Sequence, residues 1–140
     1  MIMKSKIDCT WKQDMAFEAE VQGFKITMDT TSEFGGHETG PRPKPLLLVA
    51  LAGCTGMDVI PLLKKMRAEP EGLKITIEGE PREEHPKYYH RIHVIYEFSG
   101  KGLDLEKLEK AVSLSRDRYC SVSAMLKMGA EMTYEIKILD

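Results

Sequence analysis

Cysteine is scarce in this sequence, with three residues among 140. So few thiols, and an odd number of them, argue against a framework of structural disulfides and leave cysteines that are reduced or redox-active. The apolar core of a secretory signal is also missing, because the first residues alternate lysine with apolar side chains. We therefore expect a cytoplasmic protein, and the length fits one domain of residues 1–140.

Charge of one sign is not in excess, since 20 Lys and Arg residues stand against 22 Asp and Glu residues. This balance provides no electrostatic case for a nucleic acid or an anionic membrane surface as a partner. Several site motifs are missing as well: there is no CxxC pair, no phosphate-binding loop and no serine hydrolase elbow. His90 and His93 are three residues apart, but they lie in a predicted strand and point to opposite faces. We therefore expect neither a metal nor a cofactor.

What the sequence does contain is one long apolar stretch, residues 45–67, whose apolar side chains lie on every side of a helical wheel. That pattern predicts a central helix that is buried on all sides. The stretch is short for a bilayer and is interrupted by Gly53, Gly56 and Pro61, which favours a helix enclosed by protein. Pro45 suits the first helical position, where its missing N–H costs nothing.

Cys54 stands between the two glycines of this helix. Glycine in a helix interior costs about 1 kcal/mol relative to alanine, so the pair indicates that another part of the structure approaches the backbone beside the thiol. A close helix crossing without any reactive role explains the same pattern, since free cysteines are among the most buried residues.

Alternating apolar residues predict six strands around this helix. Three precede it (residues 3–11, 17–21 and 24–28, the last two joined by a tight turn), two follow it (73–78 and 88–98) and one closes the chain (132–138). Two further helices are predicted, one capped by Asp104 and a short one beginning near Cys120. The fold class is therefore α+β with antiparallel sheet, and Cys9 in the first strand is expected to lie in the core. A helix that is apolar all round needs cover on more than one face, which a symmetric dimer would supply.

Cys54 and Cys120 each lie among small residues in apolar, helix-like segments. Two helices with small residues at matching places can approach closely enough to bring thiols together. A thiolate there needs a nearby cation or helix N-terminus, because burial raises the pKa of a thiol. Asp58 falls one helical turn after Cys54, and we expect its carboxylate to satisfy buried donors rather than to act as a base. Three arginines close to the two segments are candidates for the cation: Arg42, Arg116 and Arg118.

Two segments, GPRPKPLLLVALAGCTGMDV and VSLSRDRYCSVSAML, resemble the two cysteine motifs of the OsmC/Ohr family of osmotically inducible and organic hydroperoxide resistance proteins. The closer resemblance is to the OsmC-like branch with the signatures AGCTGMDV and YCSVSA. A third segment, EGEPREEHPKYYHRIHVIYEFSG, resembles the middle hairpin of that branch. The resemblance covers nearly the whole chain, and it implies a single OsmC-like domain in which antiparallel sheets enclose central helices in an intertwined α+β homodimer.

The same resemblance implies a thiol-dependent peroxidase. Cys54 would be the thiolate that attacks the peroxide O–O bond and becomes a sulfenic acid, and Cys120 would condense with it to a disulfide. A cytosolic dithiol would then reduce that disulfide by exchange. An apolar pocket around Cys54 would favour organic hydroperoxides over hydrogen peroxide as substrates.

The chain departs from the family at one place. Family members hold the thiolate with an Arg and a Glu, and the Glu commonly precedes the leucine run, where this chain has Pro45. Arg42 is the candidate for the cation, and Glu38 or Glu33 is the candidate for the carboxylate. The two glutamates belong to the polar loop of residues 30–44, which is a candidate wall of the site.

Three functional hypotheses remain open at this stage. The cysteine pair favours a hydroperoxide reductase. The missing Glu favours a non-catalytic OsmC-like dimer that binds a small hydrophobic ligand or acts as a redox sensor. The third hypothesis, in which all cysteines are structural, ranks last because two of them fall inside the matched motifs.

Overall fold

The computed structural model describes residues 3–139 of the chain. The contacts gather into two compact units, one ending at Leu47 and the other beginning at Leu48. Within the described residues the architecture is α+β, as the sequence predicts, with two three-stranded sheets and three α-helices. The expectation of one domain across residues 1–140 stays a prediction.

The first unit carries an antiparallel meander of three strands, β1 (Asp8–Gln13), β2 (Ala16–Val21) and β3 (Phe24–Met28). The tight turn between β2 and β3 is confirmed. Gln22 and Gly23 both have positive φ, 52° and 84°, which is the backbone that a two-residue hairpin requires.

The expectation that the first strand covers its apolar face is wrong for the single chain. Every residue of β1 is exposed, including Cys9, and Trp11 keeps 62% of its surface in contact with solvent. The alternation of residue types correctly indicates a strand with one apolar face. It carries no information about what covers that face, which is exposed among the described residues.

The loop after β3 is organised around the buried carboxylate of Asp29. Its Oδ2 accepts hydrogen bonds from the hydroxyl of Thr39 at 2.6 Å and from the backbone N–H groups of Thr39 and His37, and its Oδ1 accepts one from the N–H of Thr30 at 2.8 Å. The Thr39 hydroxyl, followed by the Thr30 N–H, lowers the pKa of Asp29 to about 2. At neutral pH an ionised carboxylate therefore fixes the course of this loop.

The second unit combines most of α1 (Pro45–Lys65) with a sheet and two shorter helices. The sheet has the order β4 (Gly72–Pro81), β5 (Tyr89–Ser99), β6 (Glu131–Leu139), and the helices are α2 (Leu105–Leu114) and α3 (Ser121–Leu126). The predicted helix start at Pro45 is confirmed, and so is the cap of α2, where the Asp104 side chain accepts a hydrogen bond from the Glu106 N–H at 3.1 Å. A π-helical turn, Ser115–Tyr119, joins α2 to α3.

The prediction of purely antiparallel sheets is wrong for one pair of strands. β4 and β5 pair antiparallel, as expected, but β6 runs parallel to β5. The reason lies in the connection, because the chain passes through α2, the π-helical turn and α3 before it returns to the sheet. A crossover of that length brings the next strand back in the same direction.

α1 is buried along one stripe, not on all sides as predicted. Leu51, Thr55, Val59 and Leu63 recur every four residues, and the three apolar ones join the core formed by β5 and α2. Elsewhere on α1 large apolar side chains are exposed, and Met57 retains 81% of its surface. Among the described residues, α1 is also the helix that is long and apolar enough to cross a membrane. The expectation that this stretch is too short for a bilayer is therefore wrong, because its length alone does not exclude one.

Candidate functional site

The structure brings the two predicted thiols together. Cys54 lies on α1 and is half-buried, whereas Cys120 lies at the start of α3 and is only 3% exposed. The two Sγ atoms and a carboxylate oxygen of Asp58 all lie within 4.8 Å of one another. These three side chains form what we call the thiol–carboxylate cluster.

The π-helical turn places Cys120 in the cluster. The N–H of Cys120 donates to the carbonyl of Ser115 at 2.8 Å, and the chain then becomes extended at Cys120, with φ −73° and ψ 103°. Cys120 is the N-cap of α3, and its Sγ accepts a hydrogen bond from the N–H of Ser123 at 3.4 Å. The first N–H groups of a helix have no partner within the helix, so those of Ser121 and Val122 are available to the neighbouring sulfur of Cys54.

The Cys54 thiolate is stabilised at this helix start. Partial burial has the largest single influence and raises the pKa of Cys54. It is outweighed by hydrogen bonds from the Val122 N–H, the Cys120 side chain and the Ser121 hydroxyl and N–H, so that the pKa of Cys54 is lowered from the ordinary value of 9.0. The Ser121 Oγ lies 3.9 Å from the Cys54 Sγ. The groups that act on this sulfur in the second unit are neutral donors.

Cys120 is shifted in the opposite direction. Its burial raises the pKa of Cys120 to about 11, with further increases from the neighbouring Cys54 and from the charge of Asp58, and the Ser123 N–H offsets only part of this. Cys54 therefore loses its proton first, and Cys120 keeps its proton and donates it as a hydrogen bond. The pair consists of one nucleophile and one neutral thiol.

A chain of buried hydroxyl groups holds Asp58. The Ser115 hydroxyl donates to Asp58 Oδ2 at 2.9 Å, Thr55 Oγ1 lies 3.0 Å from Ser115 Oγ, and Tyr96 Oη lies 2.7 Å from Thr55 Oγ1. Each hydroxyl has one proton, and an ionised carboxylate only accepts. The protons therefore point from Tyr96 to Thr55, then to Ser115 and finally to Asp58. Asp58 satisfies a buried donor, as the sequence analysis expected.

The OsmC-like protein family matches residues 35–135, a stretch that contains both thiols of the cluster. The chain belongs to this family. The resemblance inferred from the two cysteine motifs is thereby confirmed.

Relatives of this OsmC-like protein cover almost its whole length. Protein YhfA of Escherichia coli strain K12 is 29% identical over 130 residues, which make up 92% of this chain and 94% of YhfA. A solved structure described as a hypothetical protein from Aquifex aeolicus VF5 is 33% identical, covers 99% of this chain and 100% of its own, and has a TM-score of 0.83. The organic hydroperoxide resistance protein OhrB of Bacillus subtilis shares the fold at 18% identity, covering 96% of this chain and 98% of its own with a TM-score of 0.65.

The arginine and glutamate candidates from the loop of residues 30–44 lie in the first unit. The Arg42 guanidinium donates to the hydroxyl of Thr31 at 3.3 Å and lies 5.7 Å from the centre of the Phe34 ring. Glu38 is exposed and adopts a left-handed backbone, φ 54°, and Glu33 is exposed in a short 3₁₀ helix. The roles of Arg42 and Glu38 at the thiolate stay predictions.

The other two arginine candidates contact groups other than the thiols. Arg116 forms an ion pair with Asp117 at 3.0 Å and lies over the ring of Tyr134 at 5.1 Å. Arg118 lies 5.5 Å from the centre of the Tyr119 ring. The stabilisation that sequence analysis assigned to a cation therefore comes, within the second unit, from hydrogen-bond donors at the start of α3.

A groove of about 640 Å³ borders the segment of α1 that carries Cys54, and its lining includes Gly53, Gly56, Met57 and Ile75. A Cβ atom at Gly56 would lie 3.3 Å from the Ile75 side chain, so the close approach predicted from the glycines is found there. It is not found at Gly53, where a Cβ would meet nothing within 4 Å. Gly53 leaves open space on the exposed side of the helix.

We expect the two thiols to differ in their rates of alkylation. In a Cys9→Ser variant, iodoacetamide should label Cys54 with a midpoint pH below 9.0, because the thiolate of Cys54 is the stabilised form. Cys120 should stay unlabelled until the pH approaches 11, owing to its burial and its raised pKa. Peptide mass spectrometry after timed labelling measures both rates, and equal rates at Cys54 and Cys120 would contradict the assignment.

Proposed function

We propose that this OsmC-like protein is a thiol-dependent peroxidase that reduces organic hydroperoxides, and that it works as a cytoplasmic homodimer. The observation that carries the proposal is the inequality of the two neighbouring thiols. Cys54 is the sulfur with the lowered pKa and partial exposure, and Cys120 is a buried thiol with a raised pKa beside it. A two-cysteine peroxidase requires this division between an attacking sulfur and a resolving sulfur.

The proposed reaction begins when the Cys54 thiolate attacks the terminal oxygen of the hydroperoxide. The O–O bond breaks, the sulfur is oxidised to a sulfenic acid, and the alkoxide leaves as an alcohol after it takes a proton. The Cys120 sulfur then attacks the Cys54 sulfur, so that a disulfide forms and water leaves. A cytosolic dithiol reduces this disulfide by two exchange steps and restores both thiols.

The choice of organic hydroperoxides rests on two observations. The groove along α1 is lined largely by apolar groups, and it includes Gly53, the sequence neighbour of Cys54, although Cys54 itself does not line it. Such a lining suits an alkyl or aryl substituent better than it suits hydrogen peroxide. The name of the Bacillus subtilis relative refers to organic hydroperoxide resistance, and that protein shares this fold. The proposal transfers that substrate class to the present chain.

The proposed homodimer rests on the exposed apolar residues of α1. Leu47, Val49 and Met57 are between 49% and 81% exposed in the single chain, on a helix of 21 residues with two charged residues in its last turn. A second copy that packs its own α1 against this surface would remove those side chains from water. Arg42 and Glu38 remain our candidates for the Arg and Glu that hold the thiolate in the family.

A second candidate function is a non-catalytic dimer that holds a small hydrophobic ligand. Two observations favour it: the groove of about 640 Å³ and the presence of Pro45 where the family commonly has the Glu. A purely ligand-binding protein would keep its thiols reduced when it meets a hydroperoxide at equal concentration. The two candidates therefore differ in a single measurement.

That measurement is the oxidation of the reduced protein by one equivalent of cumene hydroperoxide, with free thiols blocked afterwards and the products analysed by mass spectrometry. We expect a peptide pair joined through Cys54 and Cys120, together with faster turnover of cumene hydroperoxide than of hydrogen peroxide when a dithiol is present. A Cys9→Ser variant should behave like the wild type, because Cys9 is an exposed residue of β1. Thiols that survive the treatment would overturn the peroxidase and favour the ligand-binding candidate.

A further inference from the structure

The thiol–carboxylate cluster has the composition of a zinc site. Two sulfurs and one carboxylate oxygen lie within 4.8 Å of one another, and they come from α1 and from the N-cap of α3. Zinc sites that exchange ligands typically have three protein ligands and leave the fourth tetrahedral position to water. We propose that the reduced protein binds one zinc ion through Cys54 Sγ, Cys120 Sγ and a carboxylate oxygen of Asp58, with water as the fourth ligand.

Asp58 is oriented for this role by the buried hydroxyl chain. Its Oδ2 accepts the hydrogen bond of Ser115, and this leaves Oδ1 available to a metal. Ser115 is itself fixed by Thr55, which accepts from the buried Tyr96. In metal sites a carboxylate ligand typically accepts a hydrogen bond at the oxygen that does not bind the metal, and this partner fixes the orientation of the ligand.

Polar groups of α3 also contact the two sulfurs. The N–H of Ser123 donates to Cys120 Sγ, and the Ser121 hydroxyl lies 3.9 Å from Cys54 Sγ. A zinc ion with two thiolates and one carboxylate leaves the cluster with a net charge of about −1, which favours such donors around the sulfurs. The thiolates also select the metal, because soft sulfur ligands prefer zinc to magnesium or calcium.

The movement required for binding is small. Zinc binds sulfur at about 2.3 Å and carboxylate oxygen at about 2.0–2.2 Å, which places ligand atoms of a tetrahedral site roughly 3.5–3.8 Å apart. Since no two of these atoms are more than 4.8 Å apart, any pair would have to approach by roughly 1.3 Å at most. Rotation of the half-buried Cys54 side chain provides such a shift, whereas Cys120 can stay in place at the helix cap.

Binding is an exchange of protons for metal and includes no change of oxidation state. Each thiol that is still protonated releases its proton to solvent when its sulfur binds zinc, and Asp58 binds through a carboxylate oxygen. The inference goes beyond the proposed peroxidase and does not depend on it. If both hold, zinc occupies the sulfur lone pair that attacks the peroxide, so the zinc-bound form is protected from oxidation.

Cobalt titration of the reduced protein under anaerobic conditions tests the inference, with no peroxide in the experiment. Tetrahedral cobalt with thiolate ligands has sulfur-to-cobalt charge-transfer absorption and strong visible bands, and zinc should displace it in a 1:1 ratio. We expect the charge-transfer absorption to fall by about half in Cys54→Ser and in Cys120→Ser, and the affinity to fall about 10–100-fold in Ser115→Ala, which leaves every ligand in place. Asp58→Asn should weaken binding by at least about 10-fold.

Two controls separate the cluster from other sites. Cys9→Ser removes the exposed thiol of the first unit, and His93→Gln removes an imidazole that contacts Thr133 and Glu135 on the surface of the sheet. Neither should change the spectrum or the affinity. Circular dichroism confirms that each variant is folded.

The inference is overturned if the wild type shows no thiolate band, or if Asp58→Asn and Ser115→Ala bind cobalt as tightly as the wild type does. The oxidation experiment with cumene hydroperoxide is scored separately, so failure of one proposal is distinguishable from failure of the other.

Discussion

Replacement of Cys54 by serine is expected to reduce the consumption of cumene hydroperoxide by roughly 1000-fold or more, as the loss of a covalent nucleophile does in other enzymes. A serine hydroxyl remains protonated at neutral pH, and the hydrogen bonds from Val122 and Ser121 cannot compensate for that. Cys54 is the site where these donors converge on a partly exposed sulfur. The measurement is the initial rate of peroxide loss in the presence of a dithiol, compared with the rate for the dithiol alone.

The Cys120→Ser variant is the matched comparison, because it removes the second sulfur and keeps the first. We expect its first turnover to proceed, since the attack on peroxide requires only the Cys54 thiolate. The sulfenic acid then has no resolving thiol within the chain, so it should persist and be trapped by a reagent specific for sulfenic acids. Should the Cys54→Ser protein consume peroxide as fast as the wild type, Cys54 would not be the attacking residue.

Replacement of Thr55 by valine is expected to lower the free energy of unfolding through the buried hydroxyl chain. Valine has nearly the same shape, so the cavity term is small. The buried Tyr96 hydroxyl loses its partner, which costs about 1–3 kcal/mol, and the bond between Thr55 and Ser115 contributes about 1 kcal/mol more. Chemical denaturation at one fixed protein concentration measures the change, because the stability of an oligomer depends on concentration.

Two further variants make this result specific. Thr76→Val changes the same residue type in β4, where Thr76 alternates with the core-packed Ile75 and Ile77, and it should stay within about 0.5 kcal/mol of the wild type. The double variant Thr55→Val, Tyr96→Phe should lose less free energy of unfolding than the sum of the losses in the two single variants. The reason is that the double variant has no buried Tyr96 hydroxyl left without a partner. Additive losses in this double-mutant cycle would show that the hydrogen bond between Thr55 and Tyr96 is not the source of the stability.

The starts of α1 and α2 follow well from the sequence. The start of α1 at Pro45 and the cap at Asp104 were predicted because each rests on a local chemical requirement of the backbone. The parallel direction of β6 was not predicted. Alternation of apolar residues reports which side chains share a face, and it is the same for parallel and antiparallel neighbours.

Exposure in the first unit and along α1 was the least predictable property. Cys9 and the outer residues of α1 have the sequence signature of buried positions, yet they are exposed in the single chain. The pattern of residue types records that an apolar surface exists. Whether the same chain or a second copy covers it is a matter of long-range packing, which no local window of sequence contains.

The site was predicted in part. The pairing of Cys54 with Cys120 was inferred from small residues, and the expectation that Asp58 satisfies a buried donor was correct. The N–H groups of Ser121 and Val122 were missed. A signal for them existed, because a helix predicted to begin near Cys120 must leave its first N–H groups without partners inside the helix.

The other omission depends on contacts between distant residues. The hydroxyl chain from Tyr96 to Ser115 runs through Thr55, which lies 41 and 60 positions from the two ends, and no motif links the three residues. The expectation of no metal considered histidine pairs and CxxC spacing, and the zinc site proposed above tests that expectation. Ligands that meet across two helices would leave no such spacing in the sequence.

The distance along the chain between the two thiols has a consequence for the lifetime of the protein. Cys54 and Cys120 are neighbours in space, and a bond between them would close a loop of roughly 65 residues, which restricts the unfolded chain by about 4 kcal/mol at 25 °C. The oxidised form would therefore unfold far less often than the reduced form and would resist proteolysis for longer. A cell exposed to peroxide would retain this protein, and the return of reducing conditions would make it easier to degrade.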